Sequence, residues 1–376
     1  MYVAVKGGEA AVINSRKFFA DTGRGNKDIS EIRPEQIENQ LGLAVDRVMA
    51  EGSLYDTNAA ATAIRQAQGD LVEAVFLVRA FRNTLKRFGN SRPVQTDRIR
   101  ILRRISGAFK DIPGGQILGP TCDYTHRLIE FSEPETPEKK IHENISTDFL
   151  GGNDFCNGKN RIPWVIDILK NQGLMKDKPD ELIGSAVEDL TRQPLDIPAS
   201  RSIRLQALAR GDEGFLLGSA YSLQRGFGLD RHPFLGELRV GYVEIMVAPP
   251  ELDFDIRIGE IKITECFMIN RTDGSDTGSP VFETGYGLVF GHNERKAMSM
   301  ALLDRSLGES EKTGENAFPA QDQEFILAHG DNVESSGFVQ HLKLPHYVDF
   351  QSELVFVRNF HKTRKDEKDK QDASEI

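Results

Sequence analysis

The chain has 376 residues, with 47 lysines and arginines against 57 aspartates and glutamates, a formal net charge of −10. That length supplies one large unit or two compact ones. The acidic balance excludes a nucleic-acid-binding surface over the whole protein, and no apolar run approaches the ~20 residues that span a bilayer.

Cys122, Cys156 and Cys266 are odd in number, widely separated and outside any C-x-x-C pattern. The N-terminus MYVAVKGGEAAV lacks the basic-then-apolar layout of a secretory signal. Both features predict a cytoplasmic protein without structural disulfides.

In chain order, Met1–Lys6 alternates as a short strand. Gly7 and Gly8 then lead into a helical pattern, as a tight turn or an anion nest. Pro34–Ala50 reads as one helix, with Pro34 in its first turn and Ile37, Leu41, Val45, Val48 and Met49 as its apolar stripe. Asp56 caps an alanine-rich helix, and Asp70 with Glu73 opens a third helix as a capping box. RIRILRRIS then alternates as a strand carrying Arg98, Arg100, Arg103 and Arg104. These arginines suit a polyphosphate, a solvated face or an acidic partner.

A glycine- and proline-rich loop follows, and Thr121–His126 reads as the start of a helix. There Cys122 and His126, at i and i+4, would share one face as a metal pair, and Tyr124 is a base-stacking candidate. Ser132–Pro198 has loop composition around one helix near Trp164–Asn171. From Ser200 the chain predicts a helix–turn–helix with Arg201, Arg204, Arg210 and Arg225 around Asp212 and Glu213. Such a set forms either a structural ion-pair network or a site for an anionic substrate. Two alternating runs joined by APPELD predict an antiparallel strand pair. TGYGLVFG is a further strand, and Asn293 caps the helix after it. A last helix is expected over about Tyr347–Phe360.

The fold class is therefore α+β, a helical N-terminal unit followed by a mixed unit with an antiparallel sheet and helices. The expected divisions are a mainly helical scaffold or dimer unit over 1–131, an insertion or linker over 132–198, an α+β unit over 199–361 and a disordered charged tail over 362–376.

Within the mixed unit, His341 and His346 flank Leu-Lys-Leu-Pro. Five steps along a helix leave two side chains roughly 140° apart, and five along a strand place them on opposite faces. They converge only if the chain turns, and Pro345 favours a turn. A converging pair suits zinc, and two further ligands would have to come from elsewhere, with His329, Asp349 or another chain's cysteine as candidates. A surface histidine pair is the plainer alternative.

These same residues carry a resemblance. LAHGDNVESSGFVQHLKLPHYVDFQSEL is similar to the C-terminal region of the subunit I family of the bacterial carbon–phosphorus lyase core complex. The likeness recurs in MYVAVKGGE, QLGLAVDRVMAEG, RRISGAFKDIPGGQILGPTCDYTHRL, RLQALARGDEGFLLGSAYSLQRGFG and TGYGLVFGHNERKAMSMALLDR. It fades between about Ser132 and Pro198.

The resemblance implies organic phosphonate catabolism. A phosphonate displaces the purine base of ATP or GTP, giving alpha-D-ribose 1-methylphosphonate 5-triphosphate. It implies work with subunits G, H, J and L, a homodimer contact in the core, and zinc on the residues matching His341 and His346, completed by a cysteine of subunit J. Breaking the glycosidic bond calls for a carboxylate near the cationic sugar, for which Asp212 and Glu213 are candidates, and a proton donor to the base, for which His126 is one. Arg201, Arg204, Arg210 and Arg225 are the candidates for phosphate. A non-enzymatic scaffold and a purine nucleotide glycohydrolase are the alternatives.

Overall fold

The computed structural model describes residues 7–131, 162–175, 187–225, 232–272, 279–313 and 318–374. The strand expected at Met1–Lys6 lies outside them. The described helices are α1 (Gly8–Arg24), α2 (Pro34–Gln40), α3 (Gly42–Gly52), α4 (Thr57–Gln66), α5 (Leu71–Arg82), α6 (Ile166–Asn171), α7 (Arg201–Arg210), α8 (Glu213–Ser222), α9 (Glu294–Thr313), α10 (Asn332–His341) and α11 (Tyr347–Ser374). The strands are β1 (Arg100–Ile105), β2 (Phe234–Val247), β3 (Ile256–Thr272) and β4 (Val281–Phe290). They form one antiparallel sheet in the order β1-β2-β3-β4, so the fold is α+β.

The chain divides into two compact units, one of residues 1–31 with 334–376 and the other of residues 32–333. In the larger unit, α2 to α5 enclose a core of Ile37, Val45, Val48, Met49, Ile64, Val75 and Val78. Asp56 Oδ1 accepts from Ala59 N at 2.9 Å and Asp70 Oδ1 from Val72 N at 3.0 Å, which starts α4 and α5 where the capping residues predict. The single helix expected over Pro34–Ala50 is two. Leu41, at φ −117° and ψ 36°, leaves helical geometry and α3 restarts at Gly42.

α9 lies across β4 and is seated by glycine. A Cβ on Gly285 would stand 1.7 Å from the Ala301 carbonyl oxygen, and one on Gly287 would stand 2.1 Å from that of Ala297. This approach buries Met300, Leu303 and Leu307 against a core shared with α7 and α8. Fully burying each such side chain contributes about 1.5–3 kcal/mol.

The arginines of β1 do not form one strip. The β1–β2 register shifts between Ile101 and Arg103, and Arg103 and Arg104 are both buried. Arg104 and Arg239 each donate to Glu237 Oε1, at 2.6 and 2.7 Å, and Glu237 Oε2 accepts from Val165 N at 2.8 Å. The described piece 162–175, part of the stretch expected as an insertion or linker, enters the core, with Ile166 and Leu169 against Ile269. Arg100 instead reaches Glu260 at 2.8 Å and lies over the Tyr242 ring, and Arg98 is exposed. Among the described cysteines, Cys122 and Cys266 are free thiols.

The smaller unit contains α1, α11 and most of α10, and none of its residues among 7–31, 334–368 and 370 is buried. Its α11 continues through the tail expected to be disordered, as far as Ser374. Past Pro345 that stretch contains no glycine or proline, and its mixed lysines, glutamates and aspartates favour i,i+4 pairing.

Candidate functional site

An extended ionic arrangement of the larger unit radiates from the turn between β4 and α9. Gly291 makes the turn at φ +73°, a value that favours glycine, and an added Cβ would stand 2.4 Å from that of Asp46. Thr264 Oγ1 donates to Gly291 O at 2.6 Å and accepts from Asn293 N at 3.0 Å, tying the turn to β3. Asn293 occupies the capping position, where its side-chain amide donates to Phe290 O at 2.6 Å. The next side chains then diverge in two directions.

On one side, His292 Nε2 and Glu294 Oε1 are 2.7 Å apart. The same carboxylate oxygen is 2.8 Å from Arg103 Nε. Arg103 NH2 reaches Asp123 Oδ2 at 2.5 Å, and NH1 donates to Leu118 O at 2.7 Å. The chain His292–Glu294–Arg103–Asp123 thus fastens the loop 118–126 to the start of α9. Beside it, Asp46 Oδ2 accepts from His292 N and from Lys262 Nζ, both at 2.9 Å. Burial works against the Lys262 charge, but the Asp46 carboxylate outweighs it and holds the ammonium above its ordinary range.

On the other side, Arg295 reaches Glu213 at 2.8 Å, and Lys296 Nζ lies 3.8 Å from Glu51 Oε1. Glu51 also meets Arg47 Nε at 2.9 Å and accepts from Glu213 N at 3.1 Å. Arg47 NH2 continues to Asp212 Oδ2 at 2.7 Å, which Asn332 Nδ2 approaches to 3.0 Å. Lys296 is fully buried, and among the described residues its Nζ has no hydrogen-bond partner. Burial lowers its pKa to about 8, against the pull of Glu51.

The expected carboxylates, Asp212 and Glu213, therefore meet two arginines, Arg47 and Arg295, that spacing did not single out. Asp212 Oδ1 also accepts from Phe215 N at 2.7 Å, capping α8. Of the expected phosphate-binding arginines, three contact protein groups and one is exposed. Arg201 pairs with both oxygens of Asp304, at 3.1 and 2.8 Å, and Arg204 is buried and donates to Ala199 O at 3.0 Å. Arg210 donates to Leu190 O at 3.1 Å and lies 3.8 Å from Asp331, which Arg79 grips at 2.7 Å. Arg225 is exposed.

The helix expected at Thr121–His126 is a turn. Thr121 Oγ1 accepts from Asp123 N at 3.1 Å, and Thr125 Oγ1 donates to Cys122 O at 2.8 Å. These side chains take up backbone groups that a helix would need. Cys122 and His126 accordingly share no helical face, and both are exposed. His292, Glu294 and Lys296 were missed because GHNERK reads locally as an ordinary helix start. Its available signal was five consecutive polar residues after a glycine at a strand-to-helix turn.

In the smaller unit, α10 ends at His341, and Leu344 N donates to His341 O at 2.9 Å in the turn that follows. That turn brings His341 Nε2 and His346 Nε2 to 3.2 Å, with the rings 79° apart. Each Nδ1 faces a carbonyl oxygen, that of Phe338 at 3.0 Å for His341 and that of Leu344 at 2.7 Å for His346. A carbonyl accepts only, so each Nδ1 carries a hydrogen, and in the Nδ1–H tautomer the two Nε2 lone pairs face each other. Two facing lone pairs need a proton or a cation between them. Tetrahedral zinc with Zn–N of about 2.0–2.1 Å separates two ligand nitrogens by about 3.3 Å, so the pair fits that ion. Among the described residues, no group of three or more His, Cys, Asp or Glu side chains forms a metal site. His329 belongs to the larger unit, where its Nδ1 faces Phe325 O at 3.0 Å.

Comparison with known proteins places this geometry in context. The family model described as "Bacterial phosphonate metabolism protein (PhnI)" matches residues 1–364. The alpha-D-ribose 1-methylphosphonate 5-triphosphate synthase subunit PhnI of Rhizobium meliloti (strain 1021) is 52% identical over 358 residues, 95% of this chain and 94% of that one. Its namesake from Escherichia coli (strain K12) is 50% identical over 359 residues, 95% and 98% of the two chains. The putative C-P lyase subunit protein HtxH of Stutzerimonas stutzeri is 43% identical over 366 residues, 95% of each.

Proposed function

The chain belongs to the bacterial phosphonate metabolism protein family PhnI, and from that membership we propose that it is the base-displacing subunit of a ribose 1-methylphosphonate 5-triphosphate synthase. The observation that carries this reading is the near-full-length identity to two relatives of that name. A phosphonate oxygen attacks C1′ of ATP or GTP, the C1′–N9 bond breaks, and the purine leaves with a proton. The product is alpha-D-ribose 1-methylphosphonate 5-triphosphate.

Asp212 and Glu213 are the carboxylates we assign to the cationic sugar. Their setting supports the role, since Arg47 and Arg295 fix both groups before substrate arrives. Arg295 is 73% exposed, so its guanidinium can also meet an anion. The exposed Arg225 and the half-buried Arg210 keep their assignment to the phosphates. Arg201 and Arg204 are assigned to hold the frame, given their contacts with Asp304 and Ala199.

His341 and His346 would hold zinc through Nε2, with the remaining ligands from a partner that includes a cysteine of subunit J. The ion supplies Lewis acidity or a template for bound phosphonate chemistry. We assign the chain to a cytoplasmic assembly with subunits G, H, J and L and a second copy of itself. No helix among the described residues is long and apolar enough to cross a membrane.

The test is to incubate the protein with ATP, alone and then with subunits G, H and L plus methylphosphonate, and to assay adenine. Adenine together with a phosphonate adduct, only in the complete mixture, is the expected result. Adenine without phosphonate would instead identify a glycohydrolase. A scaffold role is favoured by one observation, the absence of any buried residue in the described part of the smaller unit. It would leave ATP intact in every mixture.

A further inference from the structure

We infer that His292 is the acid that protonates the departing purine, held in place by Glu294. This rests on the base-displacement reading above. Four histidines are described in the larger unit, His126, His232, His292 and His329. Among them only His292 is paired with a carboxylate, Glu294 Oε1, at 2.7 Å. Both side chains are one-fifth exposed, open enough to meet a substrate and protected enough to keep one geometry.

The carboxylate is fixed from behind by Arg103, which is almost wholly buried and 2.8 Å away. His292 is fixed at its backbone by Asp46. Glu294 accepts from Nε2–H, so the proton to be given lies on Nδ1, for which no protein partner is seen among the described residues. The imidazolium that must form is stabilised by the same carboxylate. Arg103 also draws in Asp123, next to the 81%-exposed ring of Tyr124, which is free to stack on a purine. His126, by contrast, is exposed and has no carboxylate partner among the described residues.

In the step, a phosphonate oxygen forms the bond to C1′ as the C1′–N9 pair withdraws into the purine. His292 Nδ1 gives its proton to the purine ring, leaving neutral imidazole. Solvent returns the proton after release. No oxidant, reductant or further reactant is needed.

The test compares GTP with 7-methylguanosine triphosphate, whose base leaves without a proton at N7, in the complete mixture with methylphosphonate. For H292N, kcat with GTP should fall by about 10²- to 10⁴-fold, the usual range for a lost general acid. With the methylated nucleotide it should fall less than about tenfold. E294Q should show the same selectivity more weakly. The ratio of the two nucleotides on one preparation does not depend on how much of it is folded. Equal losses on both nucleotides, or no loss on either, would overturn the inference while leaving base displacement standing. A wild-type assembly that frees no base from either nucleotide would remove the functional reading and this inference together.

Discussion

Lys296 is where residue-scale physics is most one-sided. Its ammonium is fully buried with no hydrogen-bond partner among the described residues, and burial lowers its pKa from 10.5 to about 8. A shift of that size corresponds to about 3 kcal/mol against the charged form. Between those two values the unfolded chain binds the extra proton, so the penalty is full below about pH 8 and relieved as pH rises toward 10.5. Lys296→Met should therefore exceed wild type in denaturant resistance at pH 7, with the difference shrinking by pH 10. A variant less stable at pH 7 would mean that the attraction of Glu51 outweighs burial. The histidine pair gives a second prediction at this scale. Changing His341 and His346 together to alanine should remove bound zinc from the reconstituted core, measured by elemental analysis, whereas unchanged zinc would place the ion elsewhere.

At the scale of elements, β4 and α9 depend on two missing Cβ atoms. Gly287→Ala would put a methyl 2.1 Å from a backbone oxygen that no rotamer can move. It should cost about 3 kcal/mol, seen as a lower urea midpoint, because the helix must lift off the sheet. A neutral result would show that α9 slides freely. Elements of this kind were legible because their signals are local. Asp56 and Asp70 announce α4 and α5, and alternation announces β1, β2 and β3. The break at Leu41 was not legible, since the apolar stripe of Ile37, Leu41 and Val45 continues through it. Thr121–His126 failed for the opposite reason, its threonine hydroxyls competing with helical hydrogen bonds.

Across the whole molecule, the site was legible only where residues near in sequence meet. His341 and His346 converge through a turn that five-residue spacing and Pro345 required. Asp212 and Glu213 were found, but their partners Arg47 and Arg295 lie on α3 and α9, and no local pattern links them. Arg103 and Arg104 look like surface charge in sequence. They are buried because Glu294 and Glu237 await them from other elements. The smaller unit exposes Phe18, Phe19, Phe338, Phe350, Phe356 and Phe360.

The central claim is displacement by phosphonate rather than by water, and oxygen labelling tests it most directly. The complete mixture would be run in ¹⁸O-water with ATP and unlabelled methylphosphonate, and the ribosyl product analysed by mass spectrometry and ³¹P NMR. A C1′ phosphonate ester without solvent oxygen is the predicted result. Ribose 5-triphosphate carrying ¹⁸O at C1′ would contradict it.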